Sequence, residues 1–239
     1  MNPTTYQADL HTHTIASGHG SSATITDMAK AAAAKGLRLL GISDHGPATP
    51  GGTTPSYFRS LAQAPKNRLG VSMLYGAETN ILDCLGTLDL SEDILKRLDY
   101  TIASMHPAIT KPGTKEENTS AYLAAIKNPY VQIIGHCDDS RYPVDYPALV
   151  SAAASHRTIF EINAASLRPD GYRGDTRQNN LMLLHLCKHY DHPVLLSSDS
   201  HGTAHIGDFS STLALLRLAE MPERLILNNS TKKLRMFLT

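Results

Sequence analysis

The 239-residue chain reads as an α/β protein whose parallel strands close, or nearly close, into a barrel. Three observations carry this reading. Short apolar runs alternate with amphipathic segments along the whole length, the pattern of strands joined by right-handed helical crossovers. No internal repeat, low-complexity tract or linker interrupts them, so one domain over residues 1–239 is expected, a size that α/β barrels commonly reach. Finally, nearly every strand is followed at once by His, Asp or Glu, as expected where strand ends converge at one mouth.

The elements follow in order. Tyr6–Leu10 reads as the first strand, and Ile25–Lys35 as a helix with Thr24 or Thr26 and Asp27 at its N-cap and Gly36 as its stop. Arg38–Ser43 is a strand, Tyr57–Ala64 a helix and Val71–Ala77 a strand. A short helix at Glu92–Leu98 leads to strand Tyr100–Met105, then helix Ser120–Ile126 and strand Val131–Gly135. Helix Pro147–His156, strand Thr158–Ile162, helix Gln178–His189 and strand Val194–Ser197 complete seven strands. Helix Thr212–Ala219 precedes a short strand or turn at Glu223–Asn228.

Histidine is over-used, with 12 residues, and its placement tracks the strand ends. The first strand runs into Asp9-Leu-His11-Thr-His13, with His19 six residues on. Residues two apart on a strand share a face, so Asp9, His11 and His13 are expected to project together. The second strand ends in Ser43-Asp44-His45, the third in Gly76-Ala77-Glu78, the fourth in Ser104-Met105-His106 and the fifth in Ile134-Gly135-His136. The seventh ends in Ser197-Ser198-Asp199-Ser200-His201. Counting back by twos puts Ser43, Gly41 and Leu39 inward with His45, Ser104 and Ile102 with His106, and Gly76 and Leu74 with Glu78. That set is small or mixed, as a narrow barrel interior needs. A catalytic zinc usually takes three protein ligands. Seven imidazoles with Glu78 and Asp199 therefore suit two or three divalent ions, imidazole favouring zinc, iron or manganese over calcium. Paired ions can clamp both oxygens of an in-line phosphoryl displacement, so the implied chemistry is hydrolysis.

Composition narrows the field. Hydrophobic residues make up 41%, enough for a buried core, and 22 basic residues balance 22 acidic ones. That balance gives no footprint for long nucleic acid or an anionic membrane. Three scattered cysteines form neither a disulfide framework nor a structural zinc pair. Neither a signal-like N-terminus nor an apolar run of spanning length is present, so a cytoplasmic location is expected.

Asp-Leu-His-Thr-His-Thr at 9–14, Ser-Asp-His at 43–45, Gly-Ala-Glu at 76–78, His106, Gly-His at 135–136 and Ser-Asp-Ser-His at 198–201 occur in the order of the motifs of the PHP (polymerase and histidinol phosphatase) family. The chain resembles the small single-domain YcdX-type bacterial phosphatases of that family, from Ala8 to near its C-terminus. The resemblance implies a distorted TIM-like (β/α)7 barrel with a trinuclear site of three divalent ions, zinc foremost and manganese or iron as alternatives. By the same resemblance, His11, His13, Glu78 and Asp199 hold the first metal, Glu78 bridges to a second held by His106 and His136, and His19, His45 and His201 hold the third. A hydroxide bridging the first two metals is then the nucleophile. The implied activity is phosphoesterase, foremost on phosphomonoesters of a small soluble substrate. The alternative is a PHP-type 3'-5' exonuclease, or a phosphatase of nucleotides or short oligonucleotides. Zero net charge, no Trp and only four Phe weigh against an extended single-strand platform. An amidohydrolase-type barrel also begins His-x-His, but a modified lysine bridges its metals, and the fourth strand here ends in His106. A non-enzymatic PHP-like module would show eroded ligand positions, and none is missing.

One departure stands out: Cys137 follows His136, where a proline is common in relatives. It is expected to fill barrel space rather than bind metal. Asp9 and Asp44 are expected to support the site by orienting imidazoles. Glu161 and Asn163, at the end of the one strand without a ligand, either support it or make a plain polar contact. His156, His185, His189 and His192 are expected at the surface. Among the basic residues of the strand-end loops, including Lys111, Lys115 and Arg141, the substrate contacts singled out are Arg168, Arg173 and His205, the two arginines foremost since guanidinium suits phosphate. Oligomeric state is not legible.

Overall fold

The computed structural model describes residues 6–239. In chain order its elements are β1 (Ala8–Asp9), β2 (Thr12–His13), α1 (Ile25–Ala34), β3 (Leu39–Ile42), α2 (Pro55–Leu61), β4 (Asn67–Arg68), β5 (Val71–Asn80), α3 (Glu92–Leu95), β6 (Tyr100–Ser104), α4 (Lys115–Lys127), β7 (Ile133–Ile134), α5 (Tyr146–His156), β8 (Ile159–Asn163), α6 (Arg177–His189), β9 (Val194–Ser197), β10 (Ser200–His201), α7 (Ser210–Leu218) and α8 (Thr231–Leu238). Seven strands pair in parallel in the order β1-β3-β5-β6-β7-β8-β9, and β4 adds an antiparallel ribbon to β5. This is the seven-stranded, nearly closed barrel that the alternation predicts.

The seam between β9 and β1 is closed by a side chain. Asn228 accepts from the Leu196 N–H at 2.7 Å and donates to the carbonyls of Leu196 (2.7 Å) and Ala8 (2.9 Å). Its own carbonyl accepts from Gln7 N–H. At the mouth a second join takes over, where β10 pairs with β2 and His201 lies in register with His13.

The barrel interior is filled by Ala8, Leu10, Leu39, Leu74, Ile102, Ile133, Ile159 and Leu195, with Leu234 and Leu238 of α8 completing this cluster. Leu40, Ile42, Met73, Tyr75, Phe160 and Leu196 face the helices instead. The inward count by twos from His45, Glu78 and His106 therefore holds. Tyr100 explains the glycines in that inward set. Its hydroxyl donates to Leu10 O at 2.5 Å, and a Cβ on Gly41 or Gly76 would lie 2.3 Å from that hydroxyl or 2.7 Å from the ring.

Several expectations need correction. The first strand is interrupted: β1 stops at Asp9 and β2 starts at Thr12, because the chain leaves β3 to pair with β10. Asp9 consequently lies opposite Leu40 of the outer layer, between two inward residues, and does not share the face of His11 and His13. Helix α4 starts five residues before the expected Ser120 because Thr114 and Glu117 form a capping box. At α1 the cap is Thr24, which forms the box with Asp27. Glu223–Asn228 resolves into two short turns, Glu223–Leu225 and Leu227–Asn229, and α8 had no counterpart in the sequence reading. His192 is buried rather than exposed and bonds to the Thr158 carbonyl at 2.8 Å. Cys137 packs in the outer core beneath the helices, not inside the barrel. No helix among the described residues is long and apolar enough to cross a membrane.

Candidate metal centre

The strand ends bring together one buried carboxylate and a ring of imidazoles. Glu78, near the end of β5, is fully buried and its two oxygens face different histidines. Oε2 lies 3.3 Å from His11 Nε2, 3.5 Å from His13 Nε2 and 2.7 Å from His45 Nδ1. Oε1 lies 2.9 Å from His136 Nε2 and 3.3 Å from His106 Nε2. Asp199, just past β9, turns Oδ1 to His13 Nε2 (3.3 Å) and His11 Nε2 (3.6 Å). Ligand atoms sharing one tetrahedral zinc-sized ion at about 2.0–2.2 Å stand about 3.3–3.6 Å apart. His11, His13, Glu78 Oε2 and Asp199 Oδ1 have that spacing along the four edges just given.

A separate set of side chains fixes which ring nitrogen faces inward. His11 Nδ1 lies 2.7 Å from Glu161 Oε2, and a carboxylate can only accept, so Nδ1 carries the hydrogen and Nε2 is the nitrogen that offers a lone pair once the ring is neutral. For His13 the partner is Ser17 Oγ at 2.9 Å, whose own hydrogen goes to Asp44 Oδ1 at 2.7 Å. The serine must then accept from Nδ1. His106 Nδ1 meets Asn80 Oδ1 at 2.8 Å. Among the described residues, the buried atoms His11 Nε2, His13 Nε2, His45 Nδ1, Glu78 Oε2 and His201 Nε2 make no hydrogen bond. Orphaned polar atoms gathered in one place cost stability unless a ligand satisfies them. This donor set, imidazole nitrogens plus carboxylate oxygens, fits divalent zinc, manganese or iron. Three overlapping groups have ligand atoms close enough for one ion: His11, His13 and Glu78; His45, Glu78 and His106; His13, His45 and His201.

Electrostatics favour the ligating forms of Glu78, Asp199 and His13. Burial pushes the Glu78 carboxyl up, but the imidazoles of His11, His106 and His45 outweigh it and hold it well below the usual carboxylate range. Asp199 is likewise held low against burial by His11 and Arg173. Burial, with His45 and His201 close by, pushes His13 well down, so its ring stays neutral. His11 goes the other way: burial lowers it, but Glu161, Glu78 and Asp199 together raise it well above the ordinary value. Metal binding there would release a proton.

All nine sequence-derived candidates converge on this mouth, though not equally. His19 is exposed, and its ring stands 4.9 Å from that of His45 and 5.0 Å from that of His201. Asp9 touches no imidazole; it accepts from the backbone N–H of Ser198 and Gly207 and so anchors the loops beyond β9. Asp44 acts on His13 through Ser17. A cavity of about 180 Å³ opens above the cluster, lined by His45, His106, His201, Ile109, Tyr172 and Arg173 among others. Arg173 is buried and donates to Asp199 Oδ2 at 2.8 Å. Arg168 and His205 do not line this cavity: Arg168 donates to the Ser198 carbonyl, and the half-exposed His205 lies near Asp208. Sequence reasoning missed Ser17, Asn80 and Tyr172. Asn80 had a signal, being two residues beyond Glu78 and so on its face of β5.

Comparison with known proteins places the chain in a family. The PHP domain family model matches residues 9–168. A protein of Clostridium novyi named probable phosphatase is 41% identical over 98% of this chain and 94% of its own. One of Caldanaerobacter subterraneus subsp. tengcongensis, with the same name, is 42% identical over 96% and 90%. Among solved structures, the histidinol phosphate phosphatase of Lactococcus lactis, crystallised with zinc, L-histidinol and phosphate, superposes with a TM-score of 0.64 at 19% identity, covering 91% of this chain and 95% of that one. The family-model match over residues 9–168, together with relatives 41% and 42% identical along nearly the whole chain, shows that the chain belongs to the PHP domain family.

Proposed function

We propose that this protein is a metal-dependent phosphomonoesterase acting on a small soluble substrate, with residues 1–239 working as one PHP domain. The observation that carries this reading is the division of Glu78, one oxygen toward His11 and His13 and the other toward His106 and His136. Only a carboxylate can offer one oxygen to each of two neighbouring ions. In this reading His11, His13, Glu78 and Asp199 hold one ion, and Glu78, His106 and His136 a second. His19, His45 and His201 hold the third. Divalent ions in these positions lower the pKa of water and neutralise charge on a phosphoryl group.

The chain's own residues supply orientation and selection. Glu161, Ser17 and Asn80 hold the Nδ1–H of His11, His13 and His106 and so present Nε2 lone pairs to the mouth. Arg173 keeps Asp199 Oδ2 engaged, leaving Oδ1 for the cluster. The cavity above the cluster, lined by Tyr172 and Arg173 as well as the histidines, gives a small phosphorylated substrate a place beside the ions. That the L. lactis neighbour holds L-histidinol and phosphate supports a small phosphorylated substrate here. The test is a panel of phosphomonoesters, phosphodiesters and short oligonucleotides assayed with zinc, manganese and iron, beside a metal count on the pure protein. Monoester preference with three ions per chain is expected. Preference for diesters would instead favour the exonuclease reading, and one ion per chain would rule out a trinuclear site. Glu78→Ala should lose two ions and all hydrolysis.

A further inference from the structure

Asn80 touches His106 with its amide oxygen, and an amide is nearly symmetric: turned over, it would present its NH2 group and force the opposite ring tautomer. Something must choose. Asp89, at the far end of the Ile81–Leu88 loop, accepts from the Asn80 side-chain Nδ2 at 2.6 Å and from the Asn80 backbone N–H at 3.0 Å. It also accepts from the Ala48 N–H at 3.0 Å. All three partners are N–H donors, so the carboxylate is used purely as an acceptor. A turned amide would set a carbonyl oxygen 2.6 Å from a carboxylate oxygen, a repulsive contact. Thr49 Oγ1, 3.1 Å from the same Nδ2, is indifferent, because a hydroxyl donates or accepts. The choice therefore rests on Asp89. The approach is close enough that a Cβ on Gly46 would lie 2.3 Å from Asp89 Oδ2.

We propose that Asp89 is a positioning residue for the metal centre: it sets the amide of Asn80, which sets the tautomer of His106, which presents its Nε2 lone pair beside Glu78 Oε1. The relay joins the loop after β3, the end of β5 and the loop after β6, and it rests on the metal-centre reading above.

The test is metal binding, independent of any substrate. Asp89→Asn is nearly isosteric but presents either an oxygen or an NH2 group to Asn80, so the orientation is no longer enforced. Calorimetric titration of metal-free protein with manganese or zinc should show about 10–100-fold weaker binding of one ion, the usual cost of losing an outer partner. In an Asn80→Ala background the same substitution should cost nothing further, because its effect runs through that amide. A third measurement needs no variant: in metal-free wild-type protein the ¹⁵N spectrum of the His106 ring should show hydrogen on Nδ1. Wild-type affinity in Asp89→Asn, an undiminished loss in the Asn80→Ala background, or hydrogen on Nε2 of His106 overturns the relay and leaves the metal centre standing. A wild-type protein that binds no divalent ion overturns both.

Discussion

His11 Nδ1 stands 2.7 Å from an oxygen of Glu161, across 150 residues of sequence. Strand β8 contributes none of the nine candidate ligands, yet it supplies the carboxylate that orients the first histidine of the chain. The same Glu161 accepts from the His136 N–H (2.5 Å), Asn163 Nδ2 (2.9 Å) and Ser197 Oγ (2.5 Å). Four donors thus converge on one acceptor-only group. Glu161→Gln must turn an NH2 group toward some of them. Metal affinity and kcat/KM are expected to fall about 10–100-fold, read by metal titration and by assay at saturating metal. Unchanged affinity would show that His11 needs no such partner.

The inward histidines were legible because two simple rules point to them: strand residues alternate faces, and parallel strand ends meet at one mouth. His45, Glu78 and His106 obey both. The groups acting on the outward nitrogens were not legible as a set. Glu161, Ser17 and Asn80 have no common spacing from the histidines they serve, and folding alone brings them there. Asp9 shows where the alternation rule breaks. Its strand changes partner between Asp9 and Thr12, and nothing in the local residue pattern marks that change. The seam was hidden for a related reason. Asn228 does the hydrogen bonding of a missing strand pair with a side chain, which leaves no strand pattern to read.

Arg173 and Asp199 form a buried pair at 2.8 Å. Removing one partner of such a pair costs about 3–5 kcal/mol, mostly from the uncompensated charge that remains. Arg173→Met should therefore lower the melting temperature of metal-free protein strongly. A cation bound at Asp199 Oδ1 would offset part of that charge, so the loss should shrink in excess zinc or manganese. Thermal unfolding with chelator and with metal checks this. Equal losses in the two conditions would mean that Asp199 does not face the ion.

Asn228 is fully buried at the barrel seam. Asn228→Ala strands the Leu196 N–H and the Ala8 and Leu196 carbonyls without their partner. Each unsatisfied buried group costs about 1–3 kcal/mol. A loss of about 3 kcal/mol or more is expected, or about 6–12 °C in Tm at about 2–4 °C per kcal/mol for a chain of this size. Metal affinity should change little, because β10 and β2 close the mouth independently. Asn228→Asp keeps the acceptor for Leu196 N–H but loses both donated bonds, and should also be less stable than wild type.

His192 offers a pH-dependent test of the fold away from the metal centre. It precedes β9 at the end opposite Asp199, and its Nε2 bonds to the Thr158 carbonyl at 2.8 Å. Since a carbonyl only accepts, Nε2 carries the hydrogen, and protonation would have to occur at Nδ1. Burial lowers the pKa below the ordinary 6.5, and the bond to Thr158 offsets only part of that shift. Between the folded and ordinary values the unfolded chain binds the extra proton, so stability rises with pH through that window. The contribution of the neutral ring is complete above the ordinary value and is lost as pH falls below it. His192→Gln keeps a donor at the ε position and cannot titrate. Metal-free wild type and His192→Gln, unfolded in urea from pH 7.5 to pH 5, should therefore diverge, wild type losing more stability on acidification. Parallel curves would mean that His192 titrates alike in the folded and unfolded chains.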